Sequence, residues 1–380
     1  MTSEFVIVGG GAYGCAVAYH LARRGHSVVV LESGGIGGGA SGGPGKRGVR
    51  ANRRDLRELP LMREAYRSWP GLSDELGADT GYVRTGSVSI IEREVVGSSG
   101  GMVAAETRAQ VQSRFGIPTE LWSRERLHAA VPGIADTALA ALHAPLDGVA
   151  AQYDTTLAYA AAAKTYGAEF HEGATVETLH AQQGSRRACV VTEDGQTFEA
   201  GRAVLLAANS AVPDLVRRNF DVAVPAWTVY PQVVLLRGER PVHLPHLVGH
   251  DSRTLSVKTL DDGLVQLSGG WRGRYDAAAR RSEPVEKHVA GNIAELEAVL
   301  PGIAHGLERV SVHVSSPESA TVDQIPFVDA VPGAAGFYLA TGWTGHGWAL
   351  VPAASRAIAQ LLRDGTPPPV LAPFALTRIP

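Results

Sequence analysis

The first thirty-four residues leave few folds open to this chain. Phe5-Val6-Ile7-Val8 is a continuous apolar run, as a strand buried on both faces should be. It feeds Gly9-Gly10-Gly11-Ala12-Tyr13-Gly14, which matches G-x-G-x-x-G. Ala16, Val17, Leu21 and Ala22 then recur at helical spacing until Gly25, and a second apolar run, Val28 to Leu31, closes on Glu32. Gly9 permits the tight turn, Gly11 lets backbone approach a pyrophosphate, and Gly14 lets the helix pack on the sheet. The helix N-terminus offers unpaired N–H groups to phosphate, and Glu32 can accept bonds from ribose hydroxyls. An acid at this point disfavours a 2′-phosphate, which argues against NADP. Cys15, in the first turn after the glycines, reads as a small packed residue, and Cys189 as core.

The 380 residues suit two domains with a large core, at 45% hydrophobic and 19% charged. A net charge of −3 gives no electrostatic case for nucleic acid or an anionic membrane. Two cysteines exclude a disulfide scaffold, and no apolar run is long enough to span a bilayer. No signal peptide is visible, so the expectation is a soluble, cytoplasmic protein. The histidines form no H-E-x-x-H pattern and no G-x-S-x-G elbow is present, so no metal site is expected and no serine hydrolase.

Beyond Glu32 the chain departs from the regular repeats usual in NAD enzymes. Gly34 to Arg50 is glycine-rich and basic, suited to a loop wrapped around a long, flat ligand. Asp154 is placed to cap a helix running to Tyr166, with Gly167 as its stop. Val190 to Phe198 reads as a hairpin about Asp194-Gly195. Ala203 to Ser210 reads as a buried strand ending in small residues. Gly336 to Gly342 is another strand entering a glycine turn, followed by Trp343-Thr344-Gly345-His346-Gly347-Trp348 and a helix. Val229 to Leu236, Leu255 to Lys258 and Leu264 to Leu267 read as strands. A helix is expected from about Pro284, capped by Ser282 or Glu283. Arg53, Arg54 and Arg57 read as a solvated helix face, with Leu56, Leu59 and Met62 turned inward.

This order of elements resembles the D-amino-acid oxidase, glycine oxidase and sarcosine oxidase family of FAD-dependent amine oxidoreductases, over nearly the whole chain. The specific pieces are Ala40-Ser41-Gly42 with Arg47 and Arg50, Thr85-Gly86-Ser87, Ala207-Ala208-Asn209-Ser210, Thr321 to Phe327, and Thr341 to Gly347. The resemblance implies an α/β fold: a discontinuous Rossmann-type FAD-binding domain (1–80, 145–215 and 317–380) and a mixed-sheet α+β substrate domain (81–144 and 216–316). It also implies that Gly9, Gly11, Gly14, Glu32, Ser41, Gly42, Arg47 and Val176 bind FAD, and that Gly345, His346 and Gly347 flank the isoalloxazine. Arg50 and His346 then fall at the active site. Arg272 roughly matches a lysine that promotes oxygen reduction in sarcosine-oxidase-like members, with Lys258 the other candidate. Tyr230, Trp271 and Trp343 are aromatic candidates for the substrate cavity.

Two departures from the family pattern carry information. Ser316 stands where covalently flavinylated members have cysteine, so FAD is expected to be noncovalent. Glu318 and Ala349 stand where relatives place a carboxylate-clamping arginine or lysine. Either Arg50 or Arg272 replaces the clamp, or the substrate lacks a simple carboxylate, or it carries a cation that Glu318 holds. The activity implied is oxidation of a C–N bond in an amino acid or amine to an imine, with O2 as acceptor and peroxide as product. The alternatives are a dehydrogenase on the same fold that serves a quinone or protein acceptor, and a non-catalytic FAD-binding module. The sequence does not name the substrate or the oligomeric state.

Overall fold

The computed structural model describes residues 1–97, 100–279 and 281–379. The opening β-α-β unit forms as its pattern requires: β1 (Thr2–Val8), α1 (Ala12–Ala22) and β2 (Val28–Glu32). β1 pairs in parallel with β2 on one side and with strand Thr197–Leu206 on the other. Being central, it is covered on both faces, and Phe5 to Val8 is buried without alternation. Helix α1 is buried from Tyr13 to Ala22, enclosed by helices Gln152–Thr165 and Val351–Asp364. Its small residues, Gly14, Cys15, Ala16 and Ala18, permit that enclosure. A helix apolar all round has no solvent face to keep polar.

The sheet around β1 has eight strands. Its main path runs Val176–His180, Ala188–Thr192, Thr197–Leu206, β1, β2, Glu169–Glu172. Strand Phe337–Thr341 pairs in parallel with Thr197–Leu206 and carries Phe327–Ala330 antiparallel. A second eight-stranded sheet takes its strands from 87–91, 120–144, 232–268 and 308–314. It is antiparallel except where Leu247–His250 runs parallel to Ser87–Ile91. Helix Glu286–Val299 covers one face through Val289, Leu296 and Val299. The architecture is α/β with two mixed sheets. Among the described residues no helix is long and apolar enough to cross a membrane.

Local departures from the sequence reading have simple causes. The expected strand Val229 to Leu236 is two strands, because Pro231 lacks the N–H a continuous ladder needs. Ala226–Val229 pairs with Glu318–Thr321, whereas Gln232–Arg237 belongs to the second sheet. Helix Glu286–Val299 starts without a side-chain cap. Ser282 and Glu283 pair instead in a ribbon with Arg274–Asp276, and the Val285 N–H donates to Gln232 Oε1 at 2.9 Å. Asp154 lies in the first turn of helix Gln152–Thr165 rather than at its cap, where it still favours the positive helix end.

Between the two sheets a three-stranded ribbon joins Arg47–Val49, Gly148–Ala150 and Val83–Arg84. Fully buried Asp147 precedes its central strand. Its carboxylate accepts the Ala51 N–H at 2.7 Å and the Asn52 N–H at 3.4 Å, together with the Tyr66 and Ser87 hydroxyls. Ala51 and Tyr66 pack into the core that holds α1, while Ser87 opens a strand of the second sheet. Replacing Asp147 by Asn puts an NH2 donor against these donors. Asp147→Asn should lower unfolding free energy by about 2–4 kcal/mol, the cost of breaking a buried charged network. Urea titration measures this, and a loss below about 0.5 kcal/mol would show that the junction does not depend on the charge.

Candidate active site

Two glycine turns, more than three hundred residues apart in sequence, meet at the N-terminus of α1. Tyr13 donates its phenol proton to the Gly347 carbonyl at 2.7 Å. The Trp343 ring stacks on Tyr13 at 3.7 Å with an interplanar angle of 11°. Gly9 lies at φ +111, and a Cβ there would sit 2.7 Å from the Ala207 carbonyl oxygen. A Cβ on Gly14 would fall 1.8 Å from the Gly9 carbonyl oxygen, so helix and turn touch through backbone alone. Gly11 is different: no atom lies within 4 Å of its Cβ position. It is the N-cap of α1, no side chain caps it, and the first turn carries no acid. The amides that would hold a pyrophosphate are therefore left unclaimed beside open space, which fits the expected dinucleotide.

Glu32 serves the turn as well as any ribose, since its carboxylate accepts the Gly10 and Gly34 N–H groups at 2.7 and 2.8 Å. Val176 begins the strand just after Ala174, whose N–H donates to the Glu32 carbonyl at 2.8 Å. Cys15 packs beneath the turn, with Sγ 3.2 Å from the Gly10 carbonyl, and burial pushes its thiol pKa up. That suits packing and not redox chemistry.

The basic loop is pinned against the second sheet. Gln266 Nε2 donates to the Pro44 carbonyl at 3.1 Å, and the Lys258 ammonium donates to the Lys46 carbonyl. Arg47 turns back on the loop, donating to the Gly43 carbonyl at 3.3 Å, and lies against Gly42, which has φ +101. Burial lowers the Arg47 pKa to about 10, opposed by the charge of Glu318. Glu318 is buried on strand Glu318–Thr321 and is not a surface acid. It accepts the Gly345 N–H at 2.5 Å and a bond from Ser41, so one carboxylate ties the basic loop to the C-terminal glycine turn. Burial raises its pKa, against the pull of these donors and of Arg47 and Arg272.

Next to these turns lies a cavity of about 770 Å³, walled by the chain from Arg50 to Glu58, by Ser87 to Ser89, by one face of helix Met102–Arg114, by Gly249 and His250, and by Gly345, His346 and Trp348. Arg50 is half-buried in the cavity wall, and its hydrogen-bond partner is Ser256 Oγ at 3.3 Å. Among the described residues no carboxylate forms an ion pair with it. Burial depresses the Arg50 pKa, Asp147 partly offsets this through space, and Arg54 adds repulsion. His346 is driven down to about pKa 3 by burial, Arg54 and Arg50, so its ring is neutral near pH 7. Lys258 falls to about pKa 7 through burial and the charges of Arg47 and Arg50.

Arg272, Tyr230, Trp271 and Trp343 are not part of the cavity wall. Arg272 is exposed at a strand bridge to Pro231, Tyr230 stacks on Tyr275, and Trp271 donates to the Thr254 carbonyl. Trp343 is committed to Tyr13. The segment 53–58 is not a helix, since the helix starts at Leu59. Leu56 is exposed, whereas Leu59 and Met62 are buried. Arg54, read from sequence as solvated, is buried: it pairs with Glu58 at 3.0 Å and donates to the Arg50 and His346 carbonyls. No periodicity betrays this, because the constraint is a set of carbonyls brought from remote parts of the chain.

The family model for FAD dependent oxidoreductases (DAO) matches residues 4–361. The glycine oxidase of Geobacillus kaustophilus is 26% identical over 99% of this chain and 97% of its own length. The sarcosine oxidase subunit beta of Rhizobium meliloti is 25% identical over 99% of this chain and 88% of its own. The crystal structure of L-proline dehydrogenase from P. horikoshii superposes with TM-score 0.84 at 23% identity, covering 99% of this chain and 97% of that one.

The open space at Gly11 and the backbone contact at Gly14 predict opposite behaviour on substitution. Gly11→Val should leave the apoprotein melting temperature within about 2 °C and cut FAD retention by roughly 10-fold or more, since no protein atom lies within 4 Å of the added Cβ. Gly14→Val should lower the melting temperature as well, because turn and helix must separate. Thermal melts of apo and holo forms, with flavin counted by absorbance, check both; equal destabilisation by the two changes would contradict the assignment.

Proposed function

The chain belongs to the DAO family of FAD-dependent oxidoreductases, and within it we propose that this protein oxidises the C–N bond of an amino acid whose anionic group is held by Arg50, with O2 as acceptor. FAD-dependent oxidation of amino acids or amines is the family's activity. The observation that carries the finer reading is Arg50: a half-buried guanidinium in the cavity wall, with one weak hydroxyl partner and, among the described residues, no ion-paired acid. Such a charge is costly to bury unless an anion completes it. When bound, FAD supplies the two-electron acceptor for the C–N bond.

The protein's own groups do the rest. Arg50 fixes the substrate through a charge-assisted bond, which sets the reacting carbon relative to the His346 turn. The neutral His346 ring adds no charge of its own. The guanidiniums of Arg50 and Arg54 disfavour an ammonium nearby, so a bound amine is held in its neutral form with its lone pair available. The balance is CH–NH plus O2 giving C=N plus H2O2, with water then free to hydrolyse the imine. Lys258, buried between Arg47 and Arg50, offers a cation to oxygen as negative charge builds on it. It is better placed for this than exposed Arg272.

Anaerobic titration of the yellow holoprotein with a panel of amino acids and amines tests the reading. Amino acids should bleach the flavin absorbance, and Arg50→Met should cut kcat/KM by roughly 10²-fold or more, as loss of a buried charged contact does. Bleaching by alcohols or hydroxy acids alone would overturn it.

Lys258 gives a pH signature. Its folded pKa lies below its ordinary value, so the cation is present below about pH 7 and is lost as pH rises through it. The rate of reoxidation by O2 should therefore fall as pH rises through about 7. In Lys258→Met that step should be slower by roughly 10²-fold and flat with pH, while turnover with a dye acceptor persists. A Lys258→Met protein that reacts with O2 like the parent would point to a dehydrogenase instead.

A further inference from the structure

Side chains from the N-terminal part of the chain hold the C-terminal glycine turn by its carbonyls. Tyr13 donates to that of Gly347. Trp69 Nε1 donates to that of Ala349 at 2.9 Å, and Arg54 Nη2 to that of His346 at 2.5 Å. Of these, Arg54 also reaches the substrate side of the cavity, where its Nε donates to the Arg50 carbonyl at 2.6 Å. The remaining arm of the guanidinium, Nη1, meets Glu58 Oε1 at 3.0 Å. The pair is withdrawn from water, with 7% of the Arg54 side chain and 3% of the Glu58 side chain exposed.

Both members of the pair are anchored elsewhere. The Arg54 N–H donates to the Ala51 carbonyl at 3.0 Å, and Ala51 is itself held by Asp147. Glu58 is the N-cap residue of helix Leu59–Ser68, yet its side chain makes no capping bond and goes to Arg54 instead. That helix packs on helix Val351–Asp364, which follows the His346 turn. A buried ion pair often adds little stability over well-packed apolar residues. What this one secures is geometry. A planar guanidinium bonded through all of its nitrogens fixes the separation of two carbonyls in a way that a flexible ammonium does not.

We propose that Arg54, backed by Glu58, is a positioning residue for C–N oxidation: it sets Arg50 at a fixed separation from the His346 turn, beside which the flavin ring is expected. The proposal rests on reading this cavity as the substrate site and Arg50 as the holder of the substrate's anion. Arg54 acts through its span. The reacting carbon is placed by a chain that runs from the His346 carbonyl through the guanidinium to the Arg50 backbone, and so to the group that binds the anion.

Arg54→Lys keeps the charge and the partner of Glu58 but loses the span. Its kcat should fall roughly 10²-fold, the effect of a small misplacement, while KM stays within about 3-fold because Arg50 still binds the anion. The midpoint of the pH profile of kcat/KM should not move, since the charge remains. A shifted midpoint with unchanged kcat would show that Arg54 acts by field alone and overturn the proposal, as would a variant with the parent's kcat and profile. A paired replacement separates positioning from folding. Arg54→Met by itself should lower the holoprotein's melting temperature by about 5 °C or more, because Glu58 is left buried and unpaired. Adding Glu58→Leu should recover most of that loss but not kcat. Recovery of both makes the pair structural only and overturns the positioning role. Acetate binding tests the same geometry without turnover. Saturating the wild-type holoprotein should shift its flavin absorbance. In Arg54→Lys the affinity should hold within about 3-fold while the shift shrinks by about half or more. Acetate that binds without shifting the wild-type absorbance, or that shifts both proteins alike, overturns the proposal. A wild-type flavin that no amino acid or amine bleaches sinks the parent reading, and the acetate comparison then decides the role of Arg54 by itself.

Discussion

A single buried carboxylate, Asp147, sets the geometry on which the cavity depends. It gathers amides from Ala51 and Asn52 and hydroxyls from Tyr66 and Ser87, so it binds the core around α1 to the edge of the second sheet. Residue 51 follows Arg50 directly. The turn that Asp147 holds is therefore the turn that delivers a guanidinium into the cavity wall. Desolvation of both groups is expensive, and neither touches the other. Their attraction still acts through the low-dielectric interior, lowering the carboxylate pKa and raising that of Arg50 against the burial of each. Asp147 thus supports Arg50 electrostatically without forming an ion pair with it.

The same economy appears at the glycine turns. Gly9 and Gly14 are glycine because backbone meets backbone there, whereas Gly11 is glycine beside nothing. Sequence spacing treats the three alike, and only the structure separates a packing glycine from one that faces open space. Tyr13 and Glu318 fasten the distant C-terminal turn to this point, by a phenol on Gly347 and a carboxylate on Gly345. A buried acid that serves two loops reads in sequence as a break in the family's clamp. In the structure it is a brace.

The β-α-β unit, the hairpin at Asp194-Gly195 and the strand entering Gly342 were legible because short-range pattern decides them: continuous apolar runs, helical periodicity, glycines at turns. The stretch from Arg50 to Glu58 was not. Its charges suggest a wet helix face, yet Arg54 is withdrawn from water by carbonyls 292 and 4 residues away, and Arg53 is bent into the left-handed region by Gln112 and Asp251. Tyr230, Trp271 and Trp343 were attractive cavity residues on composition. Each finds a neighbour instead (Tyr275, the Thr254 carbonyl and Tyr13), which local sequence does not encode.

Charge placement then links recognition to reactivity. Burial, with the charges of Arg47 and Arg50 added to it, disfavours the protonation of Lys258, whose pKa falls to about 7. An anion bound at Arg50 would relieve part of that repulsion and return Lys258 toward its charged form. With an anionic substrate held at Arg50 as proposed, its binding and the protonation of Lys258 would be coupled by field and not by contact. A site that gathers cations in this way favours an anion and a neutral amine beside it, and it holds Lys258 close to neutrality until an anion offsets the repulsion.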